Sequence, residues 1–193
     1  MVVQAEKTDL TIDPPLIERC RQLSVPIVTI DREGRIVDRC VADDAWLADQ
    51  VTRSALFART LENMVTRWQD QPSPSPQQLW QGCCVAPLPI AQRRRITGYH
   101  VALFMTESIV ESEQFSRIID SAQMDVPSVA SMVSGENWCS PADVDRISTM
   151  LRWMVDDLSR RDRQDGEIGT LSQQLAETYE ELSLLYKLSA GMT

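Results

Sequence analysis

Three side chains in this sequence have the widest chemical range: the adjacent pair Cys83-Cys84 and His100, the single histidine among 193 residues. One histidine excludes a His-rich metal site and leaves little for general-base work. If residues 79–106 form a hairpin turning near Ile90–Arg94, cross-strand pairing sets Cys84 opposite His100. Gly82, Cys84, Ala86, Gly98 and Ala102 then share a face whose small side chains leave room for a closely packed helix or for a ligand. Two soft ligands fall short of a closed tetrahedral set, so the pair reads first as small buried residues and second as a small-molecule contact. No metal and no cofactor is implied.

Other chemistry is sparse. The chain has no glycine-rich phosphate loop, no Cys-x-x-Cys and no nucleophile elbow. Asp156-Asp157 and Glu180-Glu181 fall on polar helical faces, where carboxylates are solvated. The expectation is a non-catalytic protein. A net charge of −9 argues against a nucleic-acid or anionic-membrane surface. Arg93, Arg94 and Arg95 form one basic run between two apolar stretches, read as a solvated hairpin tip rather than an anion site. Five cysteines are an odd count without disulfide density, no basic-then-apolar leader opens the chain, and the apolar runs are short. A cytoplasmic setting is expected.

The elements that would position these groups follow from periodicity. Residues 1–13 are polar, and Pro14-Pro15 admits a short helix through Leu16, Ile17 and Cys20. Val25, Ile27 and Ile30 lead into Asp31-Arg32-Glu33-Gly34, and Ile36 and Val37 follow, which predicts a β-hairpin. From Asp44 to Trp68, apolar residues recur at three- and four-residue steps, predicting one or two amphipathic helices, with Trp68 and Trp80 in the core. QPSPSP (71–76) breaks that pattern. A second hairpin is expected over 79–106 and a helix over Glu111–Met124. Ser140, Pro141 and Asp143 mark a further helix start.

From that start, heptad steps from Ile147 and Met150 lead across a polar middle to Ile168, Leu171, Leu175, Leu182 and Leu185. These five are the expected seam of a homodimeric coiled coil, with Gly166 and Gly169 marking a possible break near 165–169. The alternative is an ordinary amphipathic helix that folds back.

LAETYEELSLLYKLSAGM (175–192) resembles the connecting helix that leads into GAF sensor domains of bacterial signalling proteins. PIVTIDREGRIVDRC (26–40) resembles the opening hairpin of PAS-type sensor domains. Through GCCVAPLP, RRRITGYHVAL and MLRWMVDDLSR the chain resembles the N-terminal sensory regions of bacterial phosphatase, kinase or cyclase regulators. The resemblance implies an α+β fold: an antiparallel sheet of PAS/GAF-like kind flanked by helices (1–139), then a long C-terminal coiled-coil helix (140–193). It also implies a downstream GAF or output domain, to which a ligand or partner signal would pass through the paired helix. A constitutive dimerisation scaffold without a small-molecule ligand is the alternative function.

Overall fold

The computed structural model describes residues 10, 12–71, 74–92, 95–133 and 138–190, and divides into two compact units, Met1–Arg152 and Trp153–Thr193. The first unit is α+β. In chain order it contains α1 (Pro14–Gln22), β1 (Ile27–Asp31), β2 (Ile36–Cys40), α2 (Trp46–Arg53), α3 (Ala55–Gln69), β3 (Gln77–Trp80), β4 (Cys83–Gln92) and β5 (Arg95–Met105). A 3-10 turn (Glu107–Glu111), α4 (Glu113–Ser121), α5 (Val126–Val133) and the start of α6 (Pro141–Ala190) follow. All five strands pair antiparallel, in the order β2-β1-β5-β4-β3.

Local chemistry sets the boundaries. In the first hairpin the Asp31 carboxylate accepts from the Glu33 and Arg35 amides at 3.0 and 2.8 Å, and Gly34 adopts φ 86°. An aspartate folding the backbone around itself before a left-handed glycine is a self-sufficient turn signal. The amphipathic stretch after Asp44 is two helices, because Ser54 leaves the helical region and its hydroxyl accepts from the Phe57 amide at 3.2 Å. Ser112 caps α4 in the same way. At the head of α6, Ser140 and Asp143 bond reciprocally: the Asp143 amide donates to the Ser140 hydroxyl, and the Ser140 amide to the Asp143 carboxylate.

The sheet buries both faces. One carries Val28, Ile30, Val85, Tyr99, Val101 and Leu103, packed with Leu47, Phe57, Leu61, Trp68, Phe115 and Ile119 from α2, α3 and α4. The other carries Ile27, Thr29, Ala86, Leu88, Ala102 and Phe104, also buried. Outside the sheet, the remaining buried apolar residues of this unit come from α1, its flanks and the first turns of α6: Leu10, Ile12, Leu16, Cys20, Val25, Val144 and Leu151. The Arg152 guanidinium donates to the Pro74 carbonyl at 2.6 Å, tying α6 to the segment between α3 and β3. Trp68 and Trp80 are core, as their spacing predicts.

Pro87 and Pro89 look out of place in a ten-residue strand. β3 pairs with β4 only over Cys83–Val85, so both prolines lie where β4 has lost its outer neighbour. The ladder to β5 continues through them, as it does when the missing donors belong to an open edge.

The second unit is helical. α6 passes Gly166 and Gly169 without interruption, and no neighbouring atom lies within 4 Å of where either Cβ would stand. Ile168, Leu171, Leu175 and Leu182 are each between 57% and 62% exposed. The Leu185 side chain lies outside the described residues. No helix among the described residues is long and apolar enough to cross a membrane.

Two glycines separate strain from propensity. Gly82 adopts φ 74°, and a Cβ there would collide with the backbone of Ser108 and Ile109. Gly82→Ala should cost roughly 3 kcal/mol of unfolding free energy in a urea titration. Gly166→Ala, in open space, should gain about 1 kcal/mol of helix stability and raise the helical circular dichroism signal.

Candidate functional site

The structure separates Cys84 from His100. The observed partners are Cys84 with Phe104 and His100 with Leu88. Both residues lie on one face, but four steps along the ladder put them about 13 Å apart. The physical reason is strand length. Pairing runs on through Ala91 with Ile96 and Gln92 with Arg95, past a bulge between Ile90 and Ala91, so the strands part later than the middle of the expected Ile90–Arg94 turn. Arg93 and Arg94 lie outside the described residues, while Arg95 opens β5.

His100 instead joins a row across the sheet. Asp38 of β2, Thr29 of β1 and His100 of β5 are successive cross-strand partners, and the Thr29 hydroxyl lies 2.8 Å from His100 Nδ1. Thr29 is fully buried and His100 nearly so. Burial pulls the imidazole pKa down from 6.5 to about 4, with the Asp38 carboxylate partly offsetting it. The ring is therefore neutral at neutral pH and bonded to a hydroxyl that no solute reaches, an arrangement suited to fixing strand register.

The thiols are equally quiet. Burial pushes Cys20 up to about 12 and raises Cys83 well above its ordinary value. Cys84 is raised by burial first and by the Asp145 carboxylate of α6 second. All five cysteines are free, and no cluster of three His, Cys, Asp or Glu side chains among the described residues is placed to hold a metal ion.

A groove of about 580 Å³ runs between β2 and α2, past Val37, Asp38, Arg39 and Trp46, and ends at the Asp49–Arg53 ion pair of 2.7 Å. A second cleft, of about 440 Å³, is lined by Arg32 of the first turn, Gln69 at the end of α3, and Arg95, Ile96 and Tyr99 of β5. Pairing of Ile30 with Tyr99 and Asp31 with Gly98 brings the turn beside the head of β5. The Gln69 amide donates to the Arg32 carbonyl at 2.7 Å and pins the turn to α3. Tyr99 forms the floor, its ring edge-on to Trp68 at 5.4 Å between centroids, and Trp68 Nε1 donates to Gln77 at 3.1 Å. The Tyr99 hydroxyl is buried without a hydrogen-bond partner among the described residues. Burial raises the phenol pKa, and the Arg32 charge pulls it back.

Of this cleft, the sequence flags only Arg95, through the basic run. Arg32 looks like any hairpin arginine, and Tyr99 like any strand aromatic, until β1 and β5 are known to be neighbours.

No family model, curated protein or solved structure matches the chain.

The His100 environment predicts a pH dependence. A folded pKa below the unfolded value means the unfolded chain binds the proton more tightly, so stability is complete above pH 6.5 and falls as pH drops toward 4. Compared with His100→Gln, the wild-type chain should lose about 3 kcal/mol between pH 7 and pH 4 in matched urea titrations.

Proposed function

We propose that the chain is a non-catalytic sensory or regulatory module of a bacterial signal-transduction protein, working in the cytoplasm as a homodimer. A PAS/GAF-like sheet domain would receive a ligand or partner signal, and α6 would pass it to a downstream GAF or output domain. The order hairpin, helices, hairpin, helix supports this reading, as do helices on both faces of the antiparallel sheet.

The observation that carries the proposal is the stripe Ile168, Leu171, Leu175 and Leu182, apolar at heptad spacing and more than half exposed. Large apolar side chains in regular register gain little by facing water, and a second copy of the same helix buries them all. Within the first unit, α6 turns Val144, Ser148 and Leu151 inward while Met150, a member of the heptad series, is 42% exposed. The domain thus uses a face of α6 one residue step away from the dimer register, leaving that register free for pairing. Signal transfer then needs only that the signal favour one pairing of the helices over another.

A constitutive dimerisation scaffold is the second reading. The observation in its favour is that both sheet faces are filled, by Trp68, Phe57 and Leu103 on one side and Leu88 and Phe104 on the other.

Leu175→Asp combined with Leu182→Asp places four carboxylates in the dimer seam, two per chain. Sedimentation equilibrium should show the wild-type chain at twice its 21.8 kDa mass and the double variant at the monomer mass. An unchanged mass would remove helix pairing from the mechanism.

A further inference from the structure

We propose that the cleft bounded by Arg32, Gln69, Arg95, Ile96 and Tyr99 binds the oxyanion group, carboxylate or phosphate, of a small organic molecule. Three observations converge on that ligand. First, Arg32 and Arg95 come from separate elements to line one cleft, and neither forms an ion pair among the described residues. In a chain with 28 acidic residues and 19 basic ones, two guanidinium groups without a carboxylate partner at one concavity are not forced by composition. Arg21, Arg35, Arg53, Arg117, Arg146 and Arg161 find acidic partners, and of the described arginines that do not, only Arg32 and Arg95 line this cleft.

Second, the Tyr99 hydroxyl at the floor is buried and has no partner among the described residues. Buried donors are ordinarily satisfied, and one left open in a cleft beneath two cations is matched by an acceptor oxygen from a ligand. A phenol donating from below and two guanidiniums from the rim would surround an oxyanion with charge-assisted bonds. Third, the cleft is framed rather than loose. Gln69 holds the Arg32 backbone, and Trp68 braces the Tyr99 ring.

The size and lining select an organic anion over a bare inorganic one. About 440 Å³ lies within the range of small-molecule sites, and Ile96 supplies an apolar wall beside the charged rim. The site is independent of helix pairing, since every residue in it belongs to the first unit.

Titration calorimetry with phenyl phosphate and benzoate, against benzyl alcohol and inorganic phosphate, tests the assignment on the full chain. At least one of the two organic anions should bind, and which binds more tightly decides between phosphate and carboxylate. Benzyl alcohol should not bind, and inorganic phosphate should bind about tenfold more weakly than the better organic anion. Arg32→Gln and Arg95→Gln should each weaken binding about tenfold, while Arg39→Gln, outside the cleft, should leave it unchanged. Tyr99→Phe keeps the ring against Trp68 and should weaken binding severalfold; the exposed arginine variants decide the matter if that variant folds poorly. Absence of binding by both anions, or binding indifferent to Arg32→Gln and Arg95→Gln, overturns the proposal. Inorganic phosphate binding as tightly as the better organic anion overturns its organic part. Masses measured on the same samples keep the two readings apart, because a dimer that binds no anion defeats this site and leaves the helix seam standing.

Discussion

The pairing of β1 with β5 is the contact on which the rest of the first unit depends. It joins segments 71 residues apart, as the Thr29–His100 bond illustrates, and it welds the two hairpins into one sheet. A glycine makes the close approach possible: a Cβ on residue 98 would collide with the Ile30 carbonyl oxygen. Once that ladder forms, β5 has a neighbour on each side and both faces of the sheet can be covered. The same ladder carries Asp38, Thr29 and His100 into one row and brings Arg32 beside Arg95 and Tyr99. Local turns alone would give two separate hairpins, neither with a core.

Much of the local structure is legible in the sequence because local chemistry dictates it. Asp31 and Gly34 announce the first turn, Ser140 and Asp143 the last helix, and the Trp46–Trp68 periodicity the helices between the hairpins. What is not legible is register over distance. Placing Cys84 beside His100 required the exact turn of a hairpin containing two prolines, and an offset of four residues separates them while keeping their faces the same. The β1–β5 ladder leaves no trace in either segment alone, so the arginine cleft and the threonine partner of His100 emerge only from the assembled sheet. β3, α5 and the bulge in β4 are likewise products of packing rather than of pattern.

α6 shows how one helix can serve two surfaces. Its first turns use Val144, Ser148 and Leu151 for the domain, and the heptad register from Ile147 and Met150 onward lies on a neighbouring stripe. Because the helical period and the heptad differ slightly, adjoining stripes drift relative to each other along a straight helix. The polar stretch from Arg161 to Glu167 interrupts the apolar register between them, so the domain-facing and leucine stripes need not be satisfied by one continuous surface. Under the helix pairing proposed above, a register so weakly held at its middle is the natural place for two pairings of similar stability to interchange.

The prolines of β4 bear on whether the sheet can grow. A sheet with open edges is a template for further strands, and such growth has no inherent end. Pro87 and Pro89 withhold two amide donors from the edge that β3 leaves uncovered, and the opposite edge strand, β2, is short and carries Asp38 and Arg39. With both sheet margins ill suited to recruiting another backbone, strand-by-strand growth of the sheet is disfavoured. The awkward residues of the sheet thereby act as stops at its margins.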